Sequence, residues 1–243
     1  MLKGILFDLN GTVADILTEE SSDRLYSIVA NYLSYHRIYI SPVKLKELFR
    51  ELNRKQREES PEKFPEFNVE KIFADIICDF ALPGESVPAF LAAEAATVFR
   101  STSRLKLEPY TGVTEILAYL GRRYMLGAVS DGQSLWAKPE LAAAGLEEFF
   151  DPVIISGDYG FRKPDSRLFN TALEKMGLPP DEAVFVGNDM YRDIYGGSNA
   201  GLKTVFFKSN QGDHEFHGVE PDYIIYQFNQ LPSAIDFLQK KIN

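Results

Sequence analysis

Short apolar runs rich in β-forming residues recur along the chain at 4–7, 124–129, 152–155, 183–186 and 204–207, with an edge candidate at 223–226. Stretches with helical periodicity separate most of them, and strands alternating with helices predict an α/β fold: a Rossmann-like parallel sheet joined by crossover helices. In such sheets ligands collect beyond the carboxyl ends of the strands. The run GILF at 4–7 leads straight into Asp8 and then Leu9-Asn10-Gly11-Thr12. Two readings of that junction stand: a polar turn in which Gly11 takes a positive φ, or a carboxylate set at the functional edge of the sheet.

One interval breaks the alternation. The gap between the first and second runs is too long for a single crossover and shows no convincing strand; it reads as successive helices. Ser21 or Ser22 can cap the first, with Leu25, Ile28, Val29, Tyr32 and Leu33 on one face, and Ser41-Pro42 opens the second, with Leu45, Leu48, Phe49 and Leu52. Asn68 opens the third, carrying Val69, Ile72, Phe73, Ile76 and Phe80 until Pro83-Gly84 breaks it, and a fourth spans 88–99. The expected organisation is a core of 1–14 and 105–243 with a helical insertion, 15–104, between its parts. Later in the core, PDSRLFNTALEKMG predicts an amphipathic helix with Leu168, Phe169, Ala172, Leu173 and Met176 on one face, Pro164 in its first turn and Gly177 at its end.

Composition narrows the function classes. Hydrophobic residues make up 45% and charged residues 25% of the 243, as in soluble globular chains. A net charge of −9 argues against a nucleic-acid partner, whose binders display basic surface. No apolar run is long enough for a bilayer, and MLKGILFDLN lacks the layout of a secretory signal, so the expectation is a cytoplasmic protein with no membrane partner. Cys78 is the single cysteine, which excludes an intrachain disulfide, and its setting in ADIICDF predicts a packing role. His214 and His217 read as a solvated loop, since no partner completes a metal site. The run Arg54-Lys55-Gln56-Arg57 is either a solvated helix end or a basic patch facing a crevice.

Four polar spots follow the expected strands: Asp8 to Thr12, Ser130-Asp131-Gly132, Arg162-Lys163-Pro164, and Asn188-Asp189 with Asp193 beyond. Singly, each has an ordinary explanation as a turn, a solvated charge or an acidic first turn. Together, FDLNGTVAD, VSDG, RKPDSRLF and VGNDMYRDIYGGSNAGLKTV resemble the four motifs of the haloacid dehalogenase (HAD) superfamily, mostly phosphohydrolases on a Rossmann-like sheet. PYTGVTEILAYL resembles the segment leading from cap back to core, and the insertion resembles the family's α-helical cap.

The resemblance implies a division of labour. Asp8 matches the nucleophile that forms an aspartyl-phosphate, Lys163 the lysine that neutralises phosphoryl oxygens, and Ser130 their hydroxyl donor. Gly11, Thr12, Asp131 and Gly132 fall in the substrate-binding turns. Mg²⁺ is assigned to Asp8, the main-chain carbonyl of Asn10 and the fourth-motif side chains Asn188, Asp189 and Asp193, with Asn188 and Asp189 as alternatives for one position. Asp131 and Arg162 are weaker ligand candidates.

Two departures matter. Asn10 stands where most phosphatases of the family have a second Asp that protonates the leaving alcohol and activates water, an effect worth about 10²- to 10⁴-fold. Asn188 stands where the first fourth-motif Asp is usual. The implied function is Mg²⁺-dependent hydrolysis of a small phosphorylated metabolite, restricted by Asn10 in the leaving groups it accepts. The alternatives are a 2-haloacid dehalogenase, whose halide needs no protonation, and a catalytically weak phosphate-binding module.

Overall fold

The computed structural model describes residues 1–84 and 87–242. In chain order the strands are β1 Gly4–Phe7, β2 Ala14–Thr18, β3 Arg104–Pro109, β4 Met125–Ser130, β5 Val153–Ile155, β6 Ala183–Gly187, β7 Lys203–Phe207 and β8 Tyr223–Ile225. The α-helices are α1 Asp23–Tyr35, α2 Pro42–Glu59, α3 Val69–Phe80, α4 Leu91–Ser103, α5 Val113–Leu120, α6 Ser134–Ala143, α7 Ser166–Met176, α8 Gly196–Asn199 and α9 Leu231–Ile242.

Six strands pair in parallel in the order β5-β4-β1-β6-β7-β8. The continuous apolar run of β1 follows from its central position, because both its faces are covered. Ile5 and Phe7 join one apolar cluster with α5, α6 and α9, while Leu6 joins the opposite one with α7. The chain therefore emerges from the middle of the sheet at Asp8, whose main-chain N–H still donates to the Val186 carbonyl at 2.9 Å.

The interval between β1 and β4 holds the expected helices. It also holds two strands that the apolar pattern did not reveal. β2 and β3 form an antiparallel ribbon, Ala14 opposite Pro109 and Ile16 opposite Leu107, through which the chain leaves the sheet and returns. Their sequences, ADILT and RLKLEP, mix charges with apolar residues and are only partly buried, so they lack the signature of a core strand. Helices α1 to α4 pack around Phe49, Phe73 and Phe99 in an apolar cluster of their own.

Several local expectations shift. Ser41 and Asn68 cap α2 and α3 through side-chain bonds to the N–H groups of Lys44 and Lys71, but Ser22, at the N-cap of α1, makes no such bond. Helix α7 begins at Ser166 with Asp165 as its cap, so Pro164 precedes the helix instead of entering its first turn. Cys78 is exposed: Ile72, Phe73, Ile76 and Ile77 take the buried face of α3 and carry Cys78 round to solvent. Among the described residues no helix is long and apolar enough to cross a membrane.

Among the described residues, the helical insertion touches the sheet unit in several further places, two of which stand out. Trp136 of α6 belongs to the insertion's cluster, stacked on Phe99 at a centroid distance of 6.2 Å, donating from Nε1 to the Ala96 carbonyl and lying under the Arg100 guanidinium. The α2–α3 loop pairs with the segment before Lys163, where Glu66 N–H donates to Gly160 and Arg162 N–H donates to Phe64. Because Trp136 is the single tryptophan, its fluorescence reports the first junction directly. Trp136→Ala should lower unfolding stability by about 3–5 kcal/mol, as for other large aromatic truncations, measured by urea denaturation followed by circular dichroism. A change within experimental error would show that the junction contributes no stability.

Candidate active site

The site assembles because β1, β4 and β6 end side by side. Asp8 follows β1, Ser130 ends β4 with Asp131 and Gly132 beyond, and Asn188 and Asp189 follow β6. After Asp8 the chain turns sharply at Gly11, whose φ is +85°; a Cβ there would sit 2.3 Å from Asn188 Nδ2. Glycine is thus required on two counts, backbone conformation and the approach of the neighbouring loop.

Lys163 is the centre of the arrangement. Its Nζ donates to Asp8 Oδ1 and to Asp193 Oδ1, both at 2.6 Å, and its side chain is 1% exposed. Burial alone would lower the ammonium's pKa, but the charges of Asp193 and Asp8 outweigh it and hold the group above its usual value. Burial raises the Asp193 carboxyl, with Asp8 adding to the shift and Lys163 opposing it. Asp193 Oδ2 accepts the main-chain N–H groups of Asn188 and Asp189, each at 3.0 Å. All the hydrogen bonds to the Asp193 carboxyl oxygens are accepted ones, which suits the ionised form.

The Thr12 hydroxyl lies 3.2 Å from both Asp8 Oδ2 and Asn188 Oδ1, so the oxygens of two loops converge on one group. Asp189 does not join them. Its oxygens accept the N–H groups of Tyr191, Arg192 and Asp213 and pair with the Arg192 guanidinium, and these bonds hold its carboxyl below the usual range despite burial that would raise it. Asp131 Oδ1 accepts the Lys163 main-chain N–H at 2.9 Å, tying the β4 loop to the lysine segment. Ser130 is 2% exposed and faces the cavity.

Asp8, Asn10, Ser130, Asp131 and Gly132 line a cavity of about 220 Å³ between the sheet edge and the insertion. Lys163, Asn188 and Asp193 sit behind its floor, buried. Residues that the sequence motifs did not mark complete the wall, among them Glu66, Phe67, Arg100, Trp136 and Glu140. They come from helices and loops whose sequences read as ordinary amphipathic structure, and only the basic run ending at Arg57 gave a signal. That run divides: Arg57 lines the cavity, while Arg54 pairs with Glu58 on the exposed helix surface. Glu66 is buried, and burial raises its carboxyl above the usual range.

The oxygen donors gathered here are two carboxylates, Asp8 and Asp193, and the Asn188 amide, with the Asn10 carbonyl nearby in the same turn; hard oxygen donors of this kind suit Mg²⁺. Among the described residues no three His, Cys, Asp or Glu side chains gather into a metal-binding group, since Asp189, offered by the sequence as the third acid, pairs with Arg192 instead.

The sequence profile described as Haloacid dehalogenase-like hydrolase matches residues 5–207. A glyceraldehyde 3-phosphate phosphatase of Pyrococcus furiosus is 31% identical over 63% of this chain and 64% of that protein. One of the same name from Methanocaldococcus jannaschii is 26% identical over 98% of each. The matched part of the chain thus spans less than two thirds of the length of the first of these relatives. In fold, a 2-haloacid dehalogenase of Pseudomonas syringae pv. Tomato superimposes with a TM-score of 0.72 at 22% identity, covering 98% of this chain and 99% of that one.

Removing the cation from between two buried carboxylates leaves their charges uncompensated. Lys163→Met should destabilise the fold by about 3–5 kcal/mol at neutral pH, measured by urea unfolding. In that variant burial raises the Asp193 carboxyl with no ammonium to oppose it, so its folded-state pKa lies above the unfolded value, the fold gains stability as pH falls through it, and the deficit narrows. A deficit independent of pH would contradict this electrostatic account.

Proposed function

Because the chain belongs to the haloacid dehalogenase-like hydrolase family, we propose that it hydrolyses small phosphate monoesters through a covalent aspartyl-phosphate on Asp8. The observation that carries this reading is the buried ammonium of Lys163, held 2.6 Å from Asp8 at the mouth of the sheet. A carboxylate and a phosphate dianion repel each other, and a fixed cation at the point of attack offsets that repulsion without reorganising during the reaction.

In this mechanism Asp8 attacks phosphorus, the P–O bond to the leaving group breaks, and the leaving oxygen departs with the electron pair. Water then attacks the phosphorus of the aspartyl-phosphate, releasing inorganic phosphate and regenerating Asp8. Lys163 and the Ser130 hydroxyl bind the phosphoryl oxygens, and the Gly132 turn closes the phosphate loop. Asp8, the Asn10 carbonyl, Asn188 and Asp193 are the donors that would hold Mg²⁺, whose charge would further offset that of the phosphoryl group. Asp189, engaged by Arg192, serves to hold the loop. The insertion roofs the cavity as a cap, limiting water around the intermediate. The names of the curated relatives support a short phosphorylated metabolite as substrate.

Asn10 sets the limit on this chemistry. Its amide neither protonates a leaving alkoxide nor takes a proton from water, so substrates with acidic leaving groups react best. The same feature supports a second reading, in which Asp8 displaces halide from a 2-haloacid, because halide leaves without a proton.

Phosphate release from an aryl phosphate and an alkyl phosphate, with and without Mg²⁺, separates the two. The expected outcome is Mg²⁺-dependent turnover that favours the aryl ester and vanishes in Asp8→Ala. Asn10→Asp should accelerate alkyl ester hydrolysis by about 10²-fold or more. Asn-Gly sequences deamidate, so peptide mass mapping must accompany the assay. Halide release from a 2-haloacid without Mg²⁺, combined with no gain in Asn10→Asp, would replace the phosphatase reading with the second.

A further inference from the structure

Most charged groups around the cavity are tightly paired. Arg100 donates to both oxygens of Glu140 at 2.7 and 3.1 Å, and Arg192 pairs with Asp189 at 2.8 Å. Two guanidiniums differ. Among the described residues, the guanidinium of Arg57, on the insertion, makes one hydrogen bond, from Nε to Asn53 Oδ1 at 3.0 Å, and approaches Glu66 no closer than 3.6 Å. Arg162, on the sheet unit, makes one long side-chain bond, to Asp131 Oδ2 at 3.3 Å. A guanidinium carries five N–H donors, so each of these two retains most of its capacity.

The neighbouring carboxylates are occupied by other donors. Glu66 accepts the Ser156 hydroxyl at 2.8 Å and the Phe67 N–H at 3.1 Å, while Asp131 Oδ1 accepts the Lys163 N–H. Arg57 lies over the Phe67 ring at 5.2 Å, which fixes its plane. Burial lowers its pKa, the Glu66 charge opposes that lowering, and the like charge of Arg162 adds to it.

We infer that Arg57 and Arg162 form a second anion subsite facing Asp8, so that the preferred substrate is a short phosphate ester whose leaving group bears a carboxylate. This rests on the phosphatase reading of the site. Planar, bidentate donor sets match carboxylate geometry. The cavity of about 220 Å³ is below the roughly 300–1,000 Å³ of sites for drug-sized ligands, which favours a phosphorylated short-chain hydroxy acid over a nucleotide. Because one guanidinium comes from each unit, such a ligand would bridge insertion and sheet. Binding energy from its carboxylate would then align phosphorus on Asp8.

Calorimetric titration with two unreactive probes in Mg²⁺ tests this: 3-phosphonopropionate, which carries the carboxylate, and propylphosphonate, which does not. The intact protein should bind the first at least tenfold more tightly, and Arg57→Gln and Arg162→Gln should each reduce that preference to within about threefold. Circular dichroism melting checks that both variants are folded. Equal affinity in the intact protein, or a preference that survives both substitutions, overturns the subsite while leaving the phosphatase reading intact. Failure of both phosphonates to bind, with no turnover of the aryl phosphate, overturns that reading and the subsite with it.

Discussion

Everything at the sheet edge is organised around an ammonium shared by two carboxylates that would otherwise repel each other. Lys163 reaches Asp8 from one strand's end and Asp193 from beyond another's, and its own backbone is held by Asp131 from a third. A buried ion pair of this kind contributes little net stability compared with apolar packing, because desolvation consumes most of the attraction. What it confers is arrangement. Three loops with no apolar reason to converge are drawn to one point, and the Gly11 turn and the Thr12 hydroxyl then fill the space between them.

The parallel sheet was legible in the sequence because its central strands, β1 and β6, are buried along their whole length and so read as uninterrupted apolar runs. The boundaries of β1 and β5 lie within a residue of expectation. The ribbon of β2 and β3 was illegible because it is half exposed, and a short mixed strand is indistinguishable from loop until its partner, about ninety residues away in the chain, is known. Helix α7 begins after Pro164, which was expected in its first turn, because the Asp165 carboxylate caps the helix by accepting the Arg167 N–H.

The site residues divide along the same physical line. Asp8, Ser130, Lys163 and Asp193 stood out only together, because the polar spots that hold them follow the expected strands in an order that resembles the family's four motifs. Asn188 and Asp189 were visible as a pair but not separable by sequence: only the surrounding N–H groups and Arg192 show that one faces Thr12 and the other is consumed in holding its loop. Glu66 escaped because it belongs to the insertion, where the chain's periodicity reports only the insertion's own packing, and Arg57 was marked only as one of two readings of a basic run. Their relation to the cavity depends on how two units meet.

That meeting has a mechanical consequence. The insertion is tethered covalently through the ribbon on one side, and on the other it is laced to the backbone by the exchange between residues 64–66 and 160–162. The last laced residue, Arg162, immediately precedes the lysine. The backbone that fastens the insertion and the backbone that carries the buried ammonium are thus successive residues of one segment.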